Sequence, residues 1–299
     1  MQTMQQMQRK LKSAADLHGV VKTMKSLAAV SIRQYQDAAE SLDEYFETVE
    51  LALRGALQHR PLSGGPPPPE ETVLLLFGSE QGMVGRFNEA ACDHLQAALA
   101  AGILPGRLFR PWVVGARVFA PMEDLFGTVE ETFGLPSSVD GITGAVQEIL
   151  LRFAGDRHRH GQRRLVVIHN TPAGAAAYRQ QTVHLLPPDR RWLEDLGDRR
   201  WPGRPLPFYT LPWEELFGAL VGEYLFVGLA RAFAASLAAE NAARLAAMQR
   251  AEKNIEETRD ELTRTYHSMR QDAISEELFD VISGFEALTG KGGGDDSGA

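Results

Sequence analysis

Apolar positions recur every seven residues along the first 59 positions of the chain. Positions 7, 14, 21, 28, 35, 42, 49 and 56 read Met, Ala, Val, Ala, Tyr, Leu, Val and Ala. The companion positions 4, 11, 18, 25, 32, 39, 46 and 53 read Met, Leu, His, Lys, Ile, Ala, Phe and Leu. Fourteen of these sixteen positions are apolar or aromatic. A two-residue seam kept over eight heptads predicts a long helix paired with another. No proline interrupts residues 1–59. Such a helix spans roughly 85–90 Å at 1.5 Å per residue, too long for a compact domain to enclose, so it is expected to project.

The segment PLSGGPPPPEE, residues 61–71, ends the pattern, because proline removes donors and cannot continue a helix. Short apolar runs follow. Val73–Phe77, Pro111–Val114, Leu165–His169 and Thr182–Leu186 read as strands. Residues 87–101 and 139–154 read as helices. Strands alternating with helices predict a Rossmann-like α/β domain with a largely parallel sheet. The proline-rich stretch 187–212 reads as an irregular excursion. Beyond Trp213 proline is again absent to about Leu288, and positions 220, 227, 234, 241, 248, 255, 262 and 269 read Leu, Val, Ala, Asn, Met, Ile, Leu and Met. The companion seam is poorer, with Arg231, Glu252 and Arg259 on it. Small residues crowd Ala230–Ala247, which lets a neighbour approach closely.

The predicted class is therefore α+β: a long antiparallel coiled coil of N- and C-terminal helices around a central α/β domain. The expected divisions are 1–59, a 60–72 linker, 73–212, 213–288 and a glycine-rich tail at 289–299.

Composition narrows the function. The 299 residues carry 31 Lys and Arg against 39 Asp and Glu, a formal charge of −8, which argues against a nucleic-acid binder. One cysteine, Cys92, excludes an intramolecular disulfide framework and a Cys-rich zinc site. No apolar run approaches the ~20 residues of a membrane helix, and the first ten residues are no signal core, so no direct membrane insertion is expected. Charge on the first helix is segregated. Residues 1–36 hold Arg9, Lys10, Lys12, Lys22, Lys25 and Arg33 against Asp16 alone, whereas 37–50 hold six acids and no base. A solvated face explains this, and so does a basic half that threads an acidic partner.

Few residues suggest chemistry. Phe77–Asn88 runs from strand through glycines 78, 82 and 85 into a helix, as a phosphate loop does, yet neither G-x-G-x-x-G nor Gly-Lys-Ser/Thr is present. A structural turn or contact loop is the expectation. His158 and His160 have basic neighbours and read as a solvated loop. His169, at a strand end and followed by Asn170, reads as a satisfied polar residue. No catalytic constellation, metal site or cofactor site is expected.

Three motifs in order resemble the gamma subunit of F-type ATP synthases. On the last helix Ser236, Glu240, Ala243, Arg244 and Met248 match the family pattern. Asn254, Leu262 and Tyr266 follow, then Arg270, Gln271, Ile274, Ser275 and Glu277. On the first helix the stretch Lys22–Arg33 corresponds. Ser79, Glu80, Gly82, Met83, Gly85, Phe87 and Asn88 match the family's glycine loop. The departures are Val84, where many relatives have cysteine, Arg86, where many have glycine, and the absence of an added cysteine pair. They resemble a divergent bacterial or sodium-type branch.

The resemblance implies a non-catalytic rotor shaft. Its partners would be the alpha and beta subunits of the catalytic ring, the epsilon subunit and the membrane c-ring. Its place would be peripheral, on the cytoplasmic face of the bacterial inner membrane. It also implies rotor–stator contacts at Met24, Lys25, Arg33, Val84, Arg86, Arg244, Arg270, Gln271 and Ser275. The alternative is a nucleotide-binding α/β enzyme with helical dimerisation arms.

Overall fold

The computed structural model describes residues 3–60, 69–160, 163–174, 178–203, 205 and 207–289. Most of the 61–71 linker, the side chains of His158 and His160, and the tail beyond Thr289 lie outside the described residues. Two helices dominate, α1 (Met4–His59) and α6 (Trp213–Thr289). Between them come β1 (Glu71–Phe77), α2 (Phe87–Ala100), β2 (Leu108–Val114), α3 (Phe119–Phe126), β3 (Glu131–Phe133), α4 (Gly141–His160), β4 (Arg164–Pro172), β5 (Tyr178–Leu186) and α5 (Arg190–Asp198). The chain forms two compact units. One comprises Met1–Met24 with Met248–Ala299, the other Lys25–Ala247.

In the larger unit the five strands lie in the order β3-β2-β1-β4-β5. All neighbours are parallel except β4 and β5, which pair antiparallel. The expectation of a largely parallel sheet holds. Central β1 alternates cleanly. Val73, Leu75 and Phe77 face one layer, while Leu74 and Leu76 face the other, and none is more than 1% exposed. This two-sided burial is why β1 reads as a continuous apolar run. One face is covered by α2 through Ala91, Cys92, Leu95 and Ala98, with Val118 and Met122 from the α3 region. Burial pushes the Cys92 thiol up to about 11, which leaves it protonated and inert at neutral pH. The other face is covered by α4 (Ile142, Val146, Ile149, Phe153), by α1 (Tyr35, Val49, Leu53, Leu57) and by α6 (Val227, Leu229, Phe233, Leu237). The rings of Phe77 and Phe233 meet edge to face at 4.8 Å.

One expectation about this region needs correction. The 187–212 stretch is not wholly irregular, because it contains α5. Asp189 caps that helix, accepting from the backbone N–H groups of Arg191 and Trp192, and Leu193 and Leu196 are buried. The short elements β3 and α3 also went unread, since three- and eight-residue segments carry too little periodicity.

α6 contains an 18-residue window of mean hydropathy 1.5, long and apolar enough to pass as a membrane span. This qualifies the expectation that nothing approaches one. Tyr224, Val227, Leu229, Ala230, Ala232, Phe233 and Ala234 are buried in the sheet core, and 39% of the window is buried in all. Alanines at 230, 232, 234, 238, 239, 242 and 243 are all buried and let the backbone of α6 lie close to its neighbours.

Burial on α1 follows the heptad. All sixteen seam positions are buried or half-buried, including His18 and Lys25. Within the smaller unit the helices run antiparallel. Gln8 Nε2 donates to the Tyr266 hydroxyl at 2.9 Å, and His18 lies 3.4 Å from Glu256, so numbering rises on one helix as it falls on the other. Within the larger unit the sense is the same. Tyr45 donates to Glu223 at 2.7 Å, and Asp43 pairs with Arg231 at 2.6 Å. The Arg231 guanidinium also lies 4.5 Å from the centre of the Phe46 ring.

Candidate functional site

The 78–88 loop leaves the carboxyl end of β1, where strand order reverses between β2 and β4. In doubly wound sheets that crevice takes nucleotides. Here the loop is consumed by internal bonds. Asn88 Oδ1 accepts from the Ser79 backbone N–H at 2.8 Å, and Asn88 Nδ2 donates to Ser79 Oγ at 2.9 Å. Ser79 Oγ donates to the Gln81 carbonyl at 2.8 Å. From the neighbouring strand, Asn170 Nδ2 donates to the Phe87 carbonyl at 3.0 Å, and Gln180 in turn donates to Asn170 Oδ1. An N–H held by Asn88 is not available to a phosphate.

Gly78 serves packing. A Cβ there would lie 2.3 and 2.7 Å from the methyls of buried Val118 and 2.9 Å from Asn88 Oδ1. Gly78→Ala should therefore destabilise the chain by about 1–3 kcal/mol, as overpacking does. Urea unfolding checks this, and an unchanged midpoint would show that Val118 yields freely.

The loop seats on α6. Val84 and Phe87 pack with Ala239 and Ala243, flanked by Tyr178. Val84 is 3% exposed, so its side chain is internal to this chain. What the loop presents outward is Met83, at 58% exposure, and Arg86, whose guanidinium pairs with Asp93 at 3.2 Å. Met83 adopts a positive φ of 62°, which turns the chain at the loop tip.

Beside this seat lies a polar cluster on α6. Arg244 pairs with Glu240 one turn away and donates to Asn241 Oδ1 at 3.2 Å. Asn241 donates back to the Leu237 carbonyl. Burial raises the Glu240 carboxyl above its ordinary value, and the positive Arg244 opposes that shift. Burial also raises the Tyr35 phenol, with the Glu240 charge adding to it.

Of the other expected contacts, Met24 and Lys25 are half-buried, and Arg33, Arg270, Gln271 and Ser275 are exposed. Met24 lines a shallow groove together with Ala15, Asp16, Gly19, Val20 and Thr23. The structure thus brings Val84 beside the Arg244 cluster. Arg270, Gln271 and Ser275 belong to the other unit. Sequence reading passed over Asn170 and Gln180 as loop supports, and nothing local in the sequence marks them. Glu240 was singled out only as a match to the family pattern, and its pairing with Arg244 is visible in the structure.

A family model described as ATP synthase matches residues 3–288. The ATP synthase gamma chain of Syntrophus aciditrophicus is 27% identical over 96% of this chain and 99% of its own length. The chain belongs to the ATP synthase gamma chain family. The gamma chain of Salinibacter ruber is 46% identical over a segment covering 26% of this chain. The fold agrees with a chain in the rotor of Euglena gracilis mitochondrial ATP synthase, at TM-score 0.62 and 18% identity, covering 91% of this chain and 99% of that one. A gamma chain is a non-catalytic stalk subunit, and the nucleotide-binding enzyme alternative is not favoured.

Proposed function

We propose that this gamma chain is the shaft of the central stalk, with α1 and α6 wound as an antiparallel coiled coil inside a ring of alternating alpha and beta subunits. The α/β unit stands with the epsilon subunit on the membrane c-ring, and the assembly is peripheral to the cytoplasmic face of the bacterial inner membrane. Family membership over residues 3–288 carries this reading. The distribution of exposed apolar side chains supports it. Beyond Met269 α6 has no buried described residue, yet Ile274, Leu278, Phe279, Val281 and Ile282 are 46–71% exposed. An uncovered apolar run of this kind is built for a partner. On α1, Leu17, Val20, Leu27 and Val30 are likewise exposed, off the seam.

Coupling follows from asymmetry. A turning shaft sets a different face against each catalytic subunit and shifts that subunit's conformational balance by differential contact. Arg270, Gln271 and Ser275 meet the ring on α6. Met24, Lys25 and Arg33 meet it on α1, and Arg86 meets it from the loop. Val84 and Arg244 act by holding that loop and helix in place.

Reconstitution with alpha and beta subunits tests the assignment. Arg270→Ala with Gln271→Ala should lower ATPase turnover several-fold at unchanged helix content, because alanine favours helix. Removal of residues 289–299 should be silent. Unchanged turnover in the double variant, with loss in the truncation, would place the working surface in the tail.

A further inference from the structure

We infer that His18, Glu252 and Glu256 form a divalent transition-metal site that staples α1 to α6 within the unit of Met1–Met24 and Met248–Ala299. His18 occupies a seam position where the heptad calls for an apolar side chain. Its Nε2 is shielded from solvent, makes no hydrogen bond, and lies 3.4 Å from Glu256 Oε1. Two ligands of one tetrahedral zinc ion, each about 2.0–2.2 Å from the metal, stand about 3.3–3.5 Å apart. The His18–Glu256 pair already has that separation.

Glu252 and Glu256 are one turn apart on α6, so both carboxylates emerge on one face. The ligand atoms of all three residues lie within 4.8 Å of one another. Small rotations of the two flexible carboxylate side chains would close the set. One imidazole and two carboxylates suit zinc, cobalt or nickel better than magnesium or calcium, which prefer all-oxygen shells. Three protein ligands leave a fourth position for water. Glu252 already takes part in another interaction, so a metal must share or displace it. His18 and Glu256 are therefore the firmer ligands.

A cation here ties the basic half of α1 to the facing turn of α6 and resists sliding of one helix past the other. The inference does not rest on the rotor assignment, because binding is read on the isolated chain.

The test uses the full chain without an affinity tag. Cobalt(II) titration should give a saturable visible absorption with one ion per chain, displaced by zinc, and zinc should raise the melting temperature. His18→Leu completes the apolar seam, so without metal it should melt at or above the parent temperature. It should bind cobalt more than about tenfold more weakly, since loss of outer support alone costs that much, and lose the zinc-dependent rise. Glu256→Gln should weaken binding more than Glu252→Gln. Absence of saturable cobalt binding at submillimolar concentration would overturn the site. So would equal affinity in parent and His18→Leu.

Discussion

Arg244→Ala is expected to lower the unfolding free energy by about 3–5 kcal/mol in mildly alkaline buffer, and by less in acid. Glu240 is 4% exposed, and the Arg244 side chain is 13% exposed. Removing the cation strands a buried carboxylate near Tyr35, where water cannot compensate it. The pH sign follows from the direction of the shift. Burial already raises Glu240 above its ordinary 4.5, and Arg244 opposes this by charge and hydrogen bond. Without Arg244 the folded-state value rises further. A raised acid keeps its full contribution below the unfolded value and loses it as pH climbs through the folded one. The variant should therefore approach the parent's stability near pH 4.5 and fall away above it. Replacing the pair together, as Glu240→Leu with Arg244→Met, should recover most of the loss, because no charge is left buried. Urea denaturation across this range measures both. A pH-independent loss below about 1 kcal/mol in Arg244→Ala would mean the pair is solvated and unimportant.

Acid should weaken the chain through His169. The imidazole is 4% exposed, packs against the Phe77 ring at 6.3 Å, and places Nδ1 3.1 Å from the Asn170 carbonyl. Burial pushes its value down to about 4, the backbone contact works against the shift, and the nearby Arg231 charge adds to it. A depressed histidine contributes fully above its unfolded value of 6.5, and that contribution is lost as pH falls through about 4. The shift corresponds to about 3 kcal/mol over that window. His184 on the antiparallel edge strand is lowered as well, first by burial, and adds in the same sense. His169→Gln, neutral at every pH, should flatten the slope of stability between pH 6.5 and 4 while lowering stability at neutral pH. If the slope were unchanged, the acid sensitivity would belong to the carboxylates.

The two long helices were readable from sequence because of their local period, and the four strands because each is a short apolar run set off from its flanks. The heptad of α1 is matched position by position by burial, even where His18 and Lys25 break its apolar character. Family membership was readable because motif residues recur in order at fixed spacing. The individual contact roles followed from analogy alone, and analogy did not reveal that the Val84 side chain is buried within the chain. The residue lies in a glycine loop that looks like an exposed tip, but Phe87 and Ala243 draw it inward. Whether a side chain in a loop faces out depends on what lies above it, and here that is a helix more than 150 residues further along the chain.

Periodicity and short apolar runs are properties of neighbours in sequence, so the sequence alone determined α1, α6 and the apolar core strands. Only the tertiary structure decided that β5 runs antiparallel, that Asn170 and Gln180 brace the 78–88 loop, and that His18 faces two carboxylates of α6. Each of these depends on contacts between residues far apart in the chain, whose energies come from burial and pairing and leave no local pattern to read.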